Sequence, residues 1–248
     1  MKYNKNHFAK LVYFTVFLTF SLSFYAQANS IDIENSITLK DLIIQGGWAM
    51  WPLGFFSIIL LYVIIRNFIL LREKELLRPD LFKEIEKYLS NNEIKSAREI
   101  CSKNDSLITT VLDAGLKRLQ EEDHEPSDIM ETFEEAGNEQ MIIYMKSINY
   151  LSIIGSTAPM LGLLGTVSGM IKAFSIISQG GMGDPGKLAG SIGEALITTA
   201  TGLVIAIPAM IAYFLFKNNF IKAMSSMGIQ ISHFINIYRK SNKPEKVI

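Results

Sequence analysis

The segment "GSIGEALITTATGLVIAIPAMIAYFLF" carries one carboxylate, Glu194, just ahead of a long uncharged stretch. At 100° per residue, Ser191, Glu194, Thr198 and Thr201 fall within about 80° of arc, so an acid and three hydroxyls form a polar stripe on an otherwise apolar helix. Thr199 lies roughly 140° from Glu194, on a different face. Holding an ionised acid at the centre of a bilayer costs about 2.5–3.5 kcal/mol on insertion scales, and protonating a glutamate at pH 7 costs roughly 3.7 kcal/mol. Two charge states that close in energy suit a proton carrier, because a neighbouring charge, a file of water or a moving helix can tip the balance. Hydroxyls beside such an acid can donate to it or hold a water, which a valine of the same volume cannot do. The alternative is an interfacial acid, with threonines that only bond back to their own helix. A span framed over residues 188–208 places Glu194 inside; one that starts later places it at the headgroups.

The preceding apolar segment, "YLSIIGSTAPMLGLLGTVSGMIKAF", is crowded with small residues. Ala158, Gly162 and Thr166 recur every fourth residue, as do Gly165, Gly169 and Ala173, and the device returns in Thr198, Gly202 and Ala206. In lipid, apolar side chains gain nothing by clustering, so helices associate where small residues let their backbones approach. Alone these faces indicate oligomeric or tightly packed membrane helices, and they are expected to pack subunit against subunit around a partner helix.

Other motifs carry less. "GMGDPGKL" gives Gly181, Gly186 and Lys187 the spacing of a phosphate-binding loop, but Leu188 stands where a Mg²⁺-binding hydroxyl is needed and no strand precedes it. His124 and His233 are isolated, so no metal site is expected, and no nucleophile, base and acid assemble into an enzyme's catalytic set. No cofactor is implied. A net charge of zero excludes a nucleic-acid binder held by basic charge.

The elements that must position Glu194 follow from where charge is missing. Residues 42–65, 147–171 and 195–216 contain no charged side chain, and each interval is long enough for the roughly 20 residues a membrane helix needs. The expected organisation is an all-α integral membrane protein with transmembrane helices at 48–71, 147–175 and 188–216. A fourth apolar run follows Lys2, Lys5 and Lys10 and ends in "AQA", the order of a secretory signal peptide over residues 1–28; an uncleaved first span is the alternative. Arg66, Arg72, Lys74 and Arg78 after the first span, and Lys217, Lys222, Arg239 and Lys240 after the third, place those ends inside the cell. The mature N-terminus is then outside and the C-terminus, over 217–248, inside. Lys172 and Lys187 fall on the outer side and read as side chains that snorkel to the headgroups.

Thr38 and Asp41 suggest a capped surface helix within the outer segment 29–47, with Trp48 and Trp51 anchoring at the interface. The charged segment 72–146, which holds the single cysteine Cys101, reads as cytoplasmic helices broken at Pro79, at Asn91 and Asn92, at "KND" and at "EEDHEP". No stop signal separates its last helix from the second span, so one helix is expected over about 128–171. An apolar stripe of Phe220, Met224, Ile231, Phe234 and Tyr238 likewise extends the third span inward, so two spans project as a helical bundle. Residues 176–187 form the outer loop between the second and third spans.

"APMLGLLGTVSGMIKAF" followed by "GSIGEALITTATGLVIAIPA" resembles the MotA, TolQ and ExbB proton-channel family, most closely its ExbB and TolQ branch. Flagellar MotA-type stators have four spans, which disfavours that branch. The resemblance implies an inner-membrane subunit of a Gram-negative bacterium, assembled as a pentameric ring around helices of an ExbD- or TolR-like partner. Such a complex uses the proton-motive force to drive a TonB- or TolA-like protein that spans the periplasm. It also implies roles for Glu194 as the family's third-span glutamate, for Thr166 as the threonine of "GTV", and for Thr199 as the threonine four residues after the alanine of "EAL". A ring that anchors partners and conducts nothing is the rival from another class.

Overall fold

The computed structural model describes residues 45–91, 93–120, 126–178 and 185–241. The expected signal peptide, the surface helix before residue 45 and most of the loop between the second and third spans lie outside the described residues. Among the described residues, seven helices follow one another: α1 (Met50–Leu70), α2 (Glu73–Leu77), α3 (Pro79–Ser90), α4 (Ile94–Lys103), α5 (Leu107–Leu119), α6 (Pro126–Ser178) and α7 (Pro185–Ser241). Among the described residues there is no strand. Among the described residues three helices, α1, α6 and α7, are long and apolar enough to cross a membrane, and the chain is an all-α integral membrane protein.

The short helices form where their sequences change sign locally. Arg78 takes a left-handed conformation, φ 35°, which closes α2 and lets Pro79 open α3 with its ring-fixed φ already helical. Phe82, Ile85 and Leu89 then recur on one buried face of α3. Ala97 and Cys101 do the same on α4. The hydroxyl of Ser106 accepts from the Thr109 amide and the Thr109 hydroxyl accepts from the Ser106 amide, so α5 starts on a reciprocal cap. The five-residue α2 has no counterpart in the sequence reading: it follows α1 after Leu71 and Arg72, and Leu76 and Leu77 alone in its charged sequence are buried.

Nothing interrupts α6 for 53 residues or α7 for 57, which makes them about 80 and 85 Å long at 1.5 Å per residue. Helix α6 runs from Pro126 to Ser178, past the expected end of its span at residue 175. Pro159 and Pro208 lie inside these helices without ending them. Both helices outreach a membrane, and beyond the spans they join α2–α5 in a bundle. Its core contains Leu76, Ile85, Leu112, Leu116, Phe133, Ile148, Phe220 and Phe234. Phe133 meets Phe234 edge to face at 5.9 Å and Tyr144 stacks on Phe220 at 5.5 Å, geometries that add to area burial. Of the stripe beyond the third span, Phe220, Ile231 and Phe234 are buried, and Met224 and Tyr238 pack against the same core.

Cys101 is buried in this bundle, and desolvation first, then the nearby Asp113 carboxylate, pushes its thiol up to about 12. Ion pairs tie the bundle at its surface, Arg98 to Asp113 at 3.1 Å and Arg118 to Asp128 at 2.8 Å. His233, read from sequence as isolated, faces Glu86 at 3.2 Å, and among the described residues no group of side chains could hold a metal.

A second apolar cluster joins the spans: Leu53, Leu60 and Val63 of α1, Leu151, Ile154 and Ala158 of α6, and Ile205, Ala206 and Ala209 of α7. At its edge Asn67 of α1 is wholly buried, donating to the Ser147 carbonyl at 3.3 Å and accepting from the Ser147 hydroxyl at 2.8 Å. A polar pair satisfied in both directions fixes where α1 docks along α6, because sliding either helix leaves a buried amide unpaired.

Candidate functional site

The seam between α6 and α7 is built from residues with little or no side chain. A Cβ on Gly162 would lie 2.9 Å from the Thr198 carbonyl oxygen, one on Gly169 would lie 2.8 Å from that of Ser191, and one on Gly202 would lie 2.7 Å from that of Ala158. At Gly165 a Cβ would collide with the Thr198 side chain. Backbone therefore meets backbone along the seam, and glycine is what permits it. The contacts advance in antiparallel register, Gly202 against Ala158, Thr199 against Gly162, Thr198 against Gly165 and Ala195 against Gly169. All of this lies within one chain. Within the chain these small faces cover each other, because α6 and α7 are consecutive antiparallel helices separated by only six residues, 179–184. What remains outward is bulky, with Met160, Leu163, Leu164 and Val167 exposed on α6 and Leu196, Leu203 and Val204 on α7.

The hydroxyls of the seam are engaged with backbone. Thr198, 1% exposed, donates to the Ala195 carbonyl at 2.8 Å and lies 3.4 Å from that of Gly162. Thr199 donates across the seam to the Gly162 carbonyl at 3.1 Å. Thr166 donates to the Leu163 carbonyl at 2.7 Å, and Thr201 to that of Ile197 at 2.8 Å. A hydroxyl has one hydrogen, so in this arrangement Thr166 and Thr199 offer lone pairs rather than the donor expected from the sequence. They can accept from a water or a protonated acid.

Glu194 is 17% exposed and its Oε1 accepts from the Lys172 ammonium at 2.6 Å. The sequence reading turned Lys172 toward the headgroups. The structure turns it toward the acid, because Lys172 against Glu194 is the next step of the antiparallel register and a carboxylate among apolar side chains is costly without a counterion. The signal was present in that hairpin geometry, with one charge near the end of the second span and one near the start of the third. Trp48 donates its indole N–H to the Ser168 hydroxyl at 3.3 Å, while Trp51 is 84% exposed. Among the described residues Glu194 bonds to Lys172, Thr166 to Leu163 and Thr199 to Gly162, so the three residues singled out by sequence do not form one hydrogen-bonded chain within a protomer.

Chemically, the site is a carboxylate paired with an ammonium at one end of a close-packed helical seam, followed by backbone-bonded hydroxyls whose lone pairs can accept hydrogen bonds. The MotA/TolQ/ExbB proton channel family matches residues 103–228, from the end of α4 through most of α7. The chain is 32% identical over 184 residues to a putative biopolymer transport protein ExbB-like 1 of Synechocystis, covering 71% of this chain and 69% of that one. It is 29% identical over 228 residues to a biopolymer transport protein ExbB of Pseudomonas putida, covering 88% of this chain and 63% of that one. A shorter match to ExbB of Neisseria gonorrhoeae reaches 52% over 63 residues, which spans 29% of that relative's length.

Proposed function

Since the chain belongs to the MotA/TolQ/ExbB proton channel family, we propose that it is an ExbB-like subunit that couples the proton-motive force to a TonB-type protein spanning the periplasm. The observation that carries this reading is the mostly buried Glu194 beside Lys172 at the α6–α7 seam. An acid in a membrane helix is expensive to hold in either charge state, which suits a group whose charge changes during work. Relatives named ExbB favour that branch over a TolQ-like subunit driving a TolA-type protein.

In this reading the protein sits in the inner membrane of a Gram-negative bacterium, with its N-terminal side in the periplasm and the extramembrane bundle in the cytoplasm. The bulky outward faces of α6 and α7 meet lipid and other copies in a ring, pentameric by resemblance. An ExbD- or TolR-like helix passes through the ring and exchanges protons with Glu194, and the hydroxyls of Thr166 and Thr199, bonded elsewhere along the helices, accept hydrogen bonds from water on the path. Each proton crossing about 100 mV releases about 2.3 kcal/mol, enough to bias a mechanical step.

Reconstitution distinguishes a conductor from a passive scaffold. Liposomes holding the chain with its partner should take up protons under an imposed gradient, and liposomes holding either component alone should not. Absence of partner-dependent uptake from a complex of intact mass would leave only the scaffold.

A further inference from the structure

Three segments converge on one carboxylate oxygen. Oε1 of Glu194 accepts from Lys172 Nζ at 2.6 Å, and the backbone of Gly47 lies so close to the same atom that a Cβ there would overlap it. Gly47 also has φ 65°, which a side chain would strain whatever the space. One residue on, Trp48 bonds to Ser168, and Ser168 lies one turn before Lys172 on the same face of α6. The turn ahead of α1 thus rests on α6 and covers the acid, while Lys172, its side chain 49% exposed, reaches in from the rim. The turn and residues 50–65 of α1 bring no charge to this place. On α7 the nearest charged residue is Lys187, two turns earlier.

We infer that Lys172 is a positioning residue that holds Glu194 in a closed state: its ammonium occupies the oxygen that would otherwise take up a proton or meet a partner's group. The inference rests on the proton role proposed for Glu194 above. A charge-assisted hydrogen bond at this distance is stronger than a neutral one, and the covering turn limits the water that could replace it. The closed state belongs to the chain without its partner. A partner helix opens the site by offering Lys172 another acceptor or by displacing the turn. Arginine keeps a permanent charge and a donor at this position, whereas methionine keeps the length and removes both.

The test is passive proton leak through the full chain reconstituted alone in phosphatidylethanolamine and phosphatidylglycerol liposomes under a potassium diffusion potential. Wild type should be tight. Lys172→Met should leak on the order of tenfold more, a factor that corresponds to the loss of a single favourable charge pair. Lys172→Arg should be as tight as wild type, and Lys172→Met combined with Glu194→Gln should be tight again. Should Lys172→Met fail to give oligomer of wild-type mass, Lys172→Gln takes its place with the same expectation. A neutral variant no leakier than wild type overturns the inference, and so does a leak that survives removal of the Glu194 charge. The proton role itself is read in the partnered complex, where full uptake by Glu194→Gln would defeat that reading independently of any leak.

Discussion

The buried residues of α6 change character along its length. Near its start they are Ile129, Phe133 and Ile148, packed in a core with Phe220, Met227 and Phe234 of α7. Farther on they are Ala158, Gly162, Gly165, Gly169 and Ala173. Over that second stretch the large apolar side chains point outward instead, Met160, Leu163, Leu164, Val167 and Ile171 among them. Water rewards bulk inside, since each large side chain withdrawn from it contributes about 1.5–3 kcal/mol. Lipid gives no such reward, so close backbone approach holds the same two helices together there. The difference has a functional consequence: a seam with no large side chains is the part of the molecule where two helices can hold an acid, a base and several hydroxyls in fixed register.

This contrast can be broken from either side. Phe133→Ala should be the most damaging single change, costing about 3–5 kcal/mol of bundle stability in denaturant unfolding, because it empties a core site that the neighbouring rings fill. Gly202→Leu should cost about 1–3 kcal/mol or more by forcing α6 from α7, read as a lower melting temperature in detergent, whereas Leu203→Ala on the outward face should stay within about 0.5 kcal/mol. Equal effects of the last two would mean that the seam is not where the helices meet. Thr166→Val and Thr199→Val each remove one hydrogen bond at constant volume, so stability should fall by only about 1 kcal/mol while partner-dependent proton flux drops and assembly persists. Unchanged flux in both would reduce these threonines to packing.

The smallest effect concerns Cys101. Its folded thiol titrates far above its ordinary value of 9.0, at about 12. Stability from burying the neutral thiol is complete below pH 9 and is lost as pH rises toward 12, because the unfolded chain ionises first. Alkylation of the native protein should therefore be far slower than that of the unfolded chain at the same pH between 7 and 9, and should become fast only on unfolding. A native rate that matches the rate of the unfolded chain at the same pH would show an accessible thiol.

The membrane spans and the helical breaks were legible because both depend on residue type alone. Uncharged intervals mark α1, α6 and α7, and Pro79 and the Asn91–Asn92 pair interrupt helices wherever they fall. Glu194 was legible as the acid that an apolar helix does not need. What could not be read is partnership. Periodicity says that Gly162, Gly165 and Gly169 share a small face; it does not say whether the neighbour is another copy or the next helix of the same chain. The direction of a hydroxyl hydrogen is equally invisible, since a threonine in lipid has its own helix carbonyls within reach before any partner arrives. Lys172 was misread for a related reason: a charge near a span's end can satisfy itself at the headgroups, and only the register of the hairpin shows an acid closer by.

The titratable charge of Glu194 is what proton coupling in this protein depends on. Glu194→Gln keeps the shape and hydrogen-bonding capacity of the side chain, so the variant should insert, oligomerise and bind its partner. Proton uptake by the partnered complex in liposomes should nevertheless be lost. Glu194→Asp, which retains an acid on a shorter arm, should keep part of it. An interfacial anchor predicts the opposite order, with glutamine tolerated because it stays polar at the headgroups. Full gradient-driven uptake by the Glu194→Gln complex would contradict the account.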